Sequence, residues 1–352
     1  MAGVSGSELK FAAKKASAWG TAVACGAADG FLSLATGIKR DAEVLSDDSL
    51  GQYFIAGATP GAVKVEGAIP RYLRYDGDDL FLALFMGTAG VPSVNSGYAS
   101  AYDYVYDWAV NTDGLFATFC KHMKNYIAEV ASLKITGFTI KGETGKPLQI
   151  SYDAIGNDVI TTSVTNTTTT FGNVTIAETG NRLNFGQGVF RMNDASGIAL
   201  GSSHVIAPSS FELTVKRKLT GVYGAYKTAF AGNAQDVIDE PTNDGQPEIT
   251  LKLEFPRHSA VTRLDELGND TRKKCDIVFT GALIGGTANK TFRLQFPHLM
   301  MKSVDVADAS GIIKEPVEYL VLPATAAPTG MTGITNPFRI SGTNSRSTNP
   351  LA

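Results

Sequence analysis

The chain has 352 residues, 43% of them hydrophobic and only 18% charged, with a formal net charge of −3. That composition excludes a disordered polar chain and argues against a general nucleic-acid binder, which carries a strong basic excess. The length fits about two domains better than one. Cys25, Cys120 and Cys275 belong to no CxxC or Cys-His motif, so they read as buried or incidental thiols of a reducing compartment. MAGVSGSELKFAAKK has no apolar core of signal-peptide length, and no window holds about 18 uninterrupted apolar residues. Neither a signal peptide nor a membrane span is expected.

In chain order, short apolar-alternating runs predict strands at 31–39, 63–70, 133–140, 147–155, 211–217, 249–255, 276–284, 291–296 and 316–322. Helix signals are few. DGDDLFLALFMG, residues 76–87, places Asp76 to Asp79 where carboxylates cap a first turn, sets Leu80, Phe81, Leu84 and Phe85 on one side, and stops at Gly87. A weaker helical pattern runs through 263–274. Tyr102, Tyr104, Tyr106 and Trp108 alternate at period two, as one face of a strand does. The Thr-rich run 161–171 reads as a linker or an edge strand, and the domain boundary is placed there: 1–165, then 166–325. The first twenty residues and the tail 326–352 lack core periodicity and read as extended arms, with Phe338 and Ile340 as anchors.

LKITGFTIKGETGKPLQISYDAIG, residues 133–156, reads as a hairpin whose first strand changes parity: Leu133 and Ile135 give way to Phe138 and Ile140. Gly137 lies at the slip, where a residue without a β-carbon absorbs a bulge. Leu148, Ile150, Tyr152 and Ala154 then alternate cleanly. Weak internal similarity pairs VKVEGAIPR (63–71) with ITLKLEFPR (249–257), LATGIKR (34–40) with FELTVKR (211–217), and KPLQISY (146–152) with EPVEYLV (315–321). The same order in both halves predicts a duplicated β-domain.

Sites of chemistry are not apparent. His122, His204, His258 and His298 lie far apart with no HxxxH or HExxH spacing. Asp76, Asp78 and Asp79 lack the alternating oxygen ligands and closing Glu of a calcium loop. No GxSxG, Walker or GxGxxG motif occurs. No catalytic, metal or cofactor residue is nominated, and no cofactor is expected.

One segment narrows the choice. Residues 37–87 resemble the tail tube proteins of long-tailed bacteriophages. The parts are Asp47-Asp48-Ser49 in a long polar loop, Tyr53-Phe54-Ile55-Ala56-Gly57, Pro60-Gly61-Ala62-Val63 leading into a strand, and the capped helix with Asp79-Leu80-Phe81-Leu82-Ala83-Leu84. Gly137 to Leu148 matches a hairpin such proteins carry, and the resemblance covers roughly residues 15–160. The loop 220–247 departs from it, lacking the P-G-x-V step. The resemblance implies a mainly β fold, two tandem antiparallel sandwich or barrel domains each with a short flanking helix. It implies a virion protein assembled in the host cytoplasm, no enzyme. Three chains would form a pseudo-hexameric ring, and rings would stack into a tube around a tape-measure protein that later conducts double-stranded DNA without binding it specifically. Tail terminator or tip proteins would be further partners. By the same resemblance Asp47, Asp48, Ser49, Tyr53 and Phe54 are candidates for contacts between rings. Gly137, Phe138, Ile140, Leu148 and Ile150 are candidates for a sheet shared around the ring. A carbohydrate- or host-binding β-sandwich of a tail tip or capsid remains the alternative, and a β-fold hydrolase a third reading.

Overall fold

The computed structural model describes residues 6–35, 37–51, 53–55, 57–176, 181–223, 237–258, 262–306 and 311–352. Residues 224–236 of the divergent loop 220–247 lie outside them. Among the described residues the chain is mainly β, with large antiparallel sheets and few helices. Eighteen strands join edge to edge, and following their pairings never returns to the starting strand, so no barrel closes.

The strands form where the apolar residues alternate. Ser210–Lys216 turns Phe211, Leu213 and Val215 inward, and Gln149–Gly156 does the same with Ile150, Tyr152 and Ala154. Each large side chain so buried stabilises the fold by roughly 1.5–3 kcal/mol. The expected strand at 31–39 divides into Gly30–Phe31, paired with Lys10–Lys15, and Lys39–Ser46, paired with Ala58–Tyr72. The intervening residues carry the chain from one partner to the other.

The Thr-rich run is neither linker nor edge strand at its end. Thr168–Gly172 is a short helix, where the Thr170 amide donates to Thr167 Oγ1 (3.2 Å) and the Thr167 amide to Thr170 Oγ1 (2.7 Å). Hydroxyls that satisfy neighbouring amides remove the need for a ladder partner. The second helix shortens to Thr262–Glu266, followed by Gly268 at φ 88° and a strand from Lys273. Both terminal segments also enter the sheet. Lys10–Lys15 pairs with Ala117–His122, and Arg339–Asn344 lies between Tyr102–Asp107 and the strand Ala288–Val304, with Phe338 and Ile340 fully buried.

Two strand orders match. The first runs Lys39–Ser46, Ala58–Tyr72, Gln149–Gly156, Ile127–Glu143, Ala117–His122, Lys10–Lys15, Gly30–Phe31. The second runs Ser210–Lys216, Glu248–Phe255, Glu315–Leu322, Ala288–Val304, Lys273–Gly285, Gly188–Asp194, Val205–Ile206. Their irregularities match too. Ladder partners step from Ala117↔Leu133 to Phe119↔Val130 in one, and from Lys273↔Leu299 to Cys275↔Phe296 in the other. Further along the long strand, Ile135↔Ala154 steps to Gly137↔Asp153, and Met301↔Tyr319 to Ser303↔Glu318. Phe11↔Phe31 answers Phe190↔Ile206, each preceded by a 3-10 turn after a glycine, Gly26 or Gly201. Aligned through these shifts, Ala154 takes the place of Tyr319 and Gly67 that of Leu251. The matches read from sequence, Ile150 with Tyr319 and Val65 with Leu251, pick the right strands in a displaced register.

Candidate assembly surfaces

Strand Ile127–Glu143 shows what the parity slip does. Thr136 is the extra residue of a bulge opposite Gln149–Gly156. Before it the other edge pairs with Ala117–His122; after it Gly137–Glu143 pairs with Ser210–Lys216. The strand therefore changes partner at the slip and welds the two strand orders into one sheet. A β-carbon on Gly137 would lie 2.9 Å from the Val215 carbonyl oxygen, so the close approach of that neighbour requires glycine. Phe138, Ile140, Leu148 and Ile150 are buried in the chain's own core, with the Phe138 ring 5.0 Å from Phe85 and 6.3 Å from Phe338. The sheet they share is thus internal to the chain.

The other candidates lie far from this core. Lys39–Ser46 and Ala58–Tyr72 form a hairpin whose third strand, Gln149–Gly156, reaches only to Val65. Beyond that point the ribbon is two-stranded; Val63 is still buried, but residues 43–46 and 58–60 past it are exposed. Its end carries Val44, Leu45, Leu50, Tyr53, Phe54 and Ile55, all exposed, with Tyr53 at 92% and Phe54 at 79%. Their rings meet edge to face at 4.7 Å. The Asp47 amide donates to the Gly57 carbonyl (2.9 Å), and the Asp47 carboxylate accepts from the Ser49 amide (3.1 Å). Asp48 is exposed. These exposed apolar side chains sit at the end of the ribbon, beyond the reach of its third strand.

The Asp76–Asp79 stretch is a joint rather than a simple cap. Helix Asp79–Met86 starts after Asp78, whose side chain makes no capping bond. Asp78 instead pairs with buried Arg71 (3.1 Å) and accepts from the Tyr152 hydroxyl (3.2 Å) and the Arg74 amide (3.0 Å). Asp79 accepts from the Tyr106 hydroxyl (3.0 Å), Asn344 (3.2 Å) and Arg346 (3.2 Å), which fixes the tail. Asp76 pairs with Lys290 and accepts from the Ser345 amide. Burial raises the Tyr106 and Tyr152 hydroxyls well above the usual phenol range, so both remain donors at neutral pH. Every residue of the helix except half-buried Leu80 is buried, so burial is not confined to one side.

At the helix's other end Gly87 takes the left-handed conformation (φ 81°). Arg217, just past Ser210–Lys216, donates to the Phe85 (3.0 Å) and Ala109 (2.7 Å) carbonyls. Burial lowers its pKa to about 10, still a cation at neutral pH. A cation among carbonyls at a helix C-terminus is favourable. Cys25 and Cys120 are buried free thiols with sulfurs 4.0 Å apart, and Cys275 is buried alone. Sequence reasoning missed Arg217, Asn344 and Arg346 because each acts on an element distant in sequence; only the charge of Arg217 after an apolar strand hinted at it.

A family model described as phage tail tube protein matches residues 6–342, and the chain belongs to that family. It is a structural component of a phage tail, and so of the virion. Comparison with curated proteins finds no match. Among the described residues no helix is long and apolar enough to cross a membrane.

Proposed function

We propose that this protein is the repeating subunit of a tail tube whose rings contain three chains. Each chain supplies two tube domains, approximately residues 1–165 and 166–325, and the remaining tail pins the two together. The observation that carries this reading is the pair of matching strand orders with matching register shifts. A chain with two like units closes a six-unit ring from three copies, which leaves no sheet edge unpaired around the circle. The hairpin tip with Tyr53 and Phe54 reaches from one ring to the next, where its apolar side chains lose their exposure to water. The stacked rings enclose a tape-measure protein during assembly in the host cytoplasm and then pass DNA. Terminator or tip proteins cap the ends, and no catalytic step is part of the role.

Negative-stain microscopy of concentrated protein tests this. Rings with three-fold symmetry and six like units, stacked into tubes, are expected. A monomer that binds a sugar saturably and never forms filaments would favour a host-binding module instead.

A further inference from the structure

The two strand orders differ in the neighbours of their first strands, and that difference names a contact. Ser210–Lys216 has a neighbour on each edge, Glu248–Phe255 and Gly137–Glu143. Its counterpart in the first order, ending in Ile38 to Asp41, has Ala58–Tyr72 on one edge and no strand on the other among the described residues. Conversely, the counterpart of Gly137–Glu143 begins at Ser303, just past the matching bulge. There the Glu315–Leu322 side is occupied, the Asp305 amide donating to the Pro316 carbonyl (3.1 Å). The opposite side of Ser303–Val306 has no strand partner among the described residues, and Ser303 and Asp305 are exposed. One half of each chain thus presents the socket, and the other half the edge, that the chain's own middle has already joined.

Resting on the tube reading above, we propose that Ser303–Val306 of one copy pairs antiparallel with Ile38–Asp41 of the next copy in the ring. The register follows from the internal join. Gly137↔Lys216, Phe138↔Val215, Thr139↔Thr214 and Ile140↔Leu213 translate to Ser303↔Asp41, Val304↔Arg40, Asp305↔Lys39 and Val306↔Ile38. Asp305 then faces Lys39 directly, a cross-strand pair of opposite charge. Val304 takes the place of buried Phe138 and Val306 that of buried Ile140, so both pass from half-buried to covered. The partner is a second copy of this chain because its edge carries the same fold and the same polarity as the strand that fills the equivalent position inside.

Backbone amide exchange on wild-type tubes and on unassembled subunits tests the contact without any substitution. Residues 38–41 and 303–306 are expected to exchange at least tenfold more slowly in the tube. A second measurement uses Lys39→Cys with Asp305→Cys. Mild oxidation of tubes should give covalent dimers and trimers, whereas each single variant stays monomeric because Cys25, Cys120 and Cys275 are buried. Tubes in which both segments exchange as fast as in the subunit overturn the pairing and leave the tube reading intact. Wild-type protein that forms no tubes overturns both. If the double variant does not assemble, the wild-type exchange result decides alone.

Discussion

The Arg217 guanidinium lies 3.7 Å above the centre of the Trp108 ring. Arg217 follows the strand that begins the second order, and Trp108 follows the strand Tyr102–Asp107 beside the helix of the first. The same guanidinium donates to the carbonyls of Phe85 and Ala109. One side chain therefore locks the second unit onto the helix end of the first, through a ring face and charge-assisted hydrogen bonds together.

Replacing Arg217 with alanine removes these contacts and strands buried carbonyls, and should cost about 3 kcal/mol or more. Arg217→Lys should recover only part, because a compact ammonium cannot stack on the ring and serve the separate carbonyls at once. Chemical unfolding of the unassembled subunit measures both. Equal stability of Arg217→Ala and wild type would remove this residue from the joint.

Gly137→Val pushes branched carbon into the Val215 carbonyl and the Lys216 side chain. The internal weld should loosen, with a loss of roughly 1–3 kcal/mol, and Gly137→Ala should lose less. Amide exchange would show the damage concentrated in 137–143 and 210–216. Uniform protection across those strands in the valine variant would mean the bulge tolerates a side chain.

At the hairpin tip, Tyr53→Ser with Phe54→Ser alters side chains that touch no core. Subunit stability should change by no more than about 0.5 kcal/mol. Stacking should fail, leaving separate rings or short stubs in the microscope. Full-length tubes from this variant would show that the tip does not bridge rings.

Two histidines set a pH dependence. Burial, helped by Lys10 and Arg272 respectively, lowers the pKa of His122 and His298 from the ordinary 6.5. Below that value the unfolded chain takes up protons that the folded chain resists, so stability is present above it and falls as the pH drops through it. Melting temperature should decrease between about pH 7.5 and about pH 5.5, and His122→Gln with His298→Gln should flatten that part of the curve. An unchanged slope in the double variant would assign the effect elsewhere.

The sequence made the strands with clean alternation legible, and Gly137 as a bulge, because side-chain period and a missing β-carbon are local properties. It did not reveal Ala117–His122 or Lys10–Lys15, whose small residues are packed between neighbours and show little alternation. Asp78 read as a helix cap because a carboxylate before a helix usually is one; Arg71 and Tyr152 claim it instead, across a distance no local pattern encodes. The repeat was visible as similar strands in similar order. Its register was not, since the bulges that define it are pairing events and leave only faint marks in the residues. The tip residues Tyr53 and Phe54 were singled out through the resemblance to tail tube proteins and not through a periodic pattern of their own.

On the proposed reading, this chain builds a tube from three-fold rings of paired units. Electron cryomicroscopy of assembled protein tests it most directly. The expected result is a hollow helical stack with three chains and six like domains per ring, and a lumen wide enough for a DNA duplex. Six chains per ring, or a solid or discrete particle with no lumen, would contradict it.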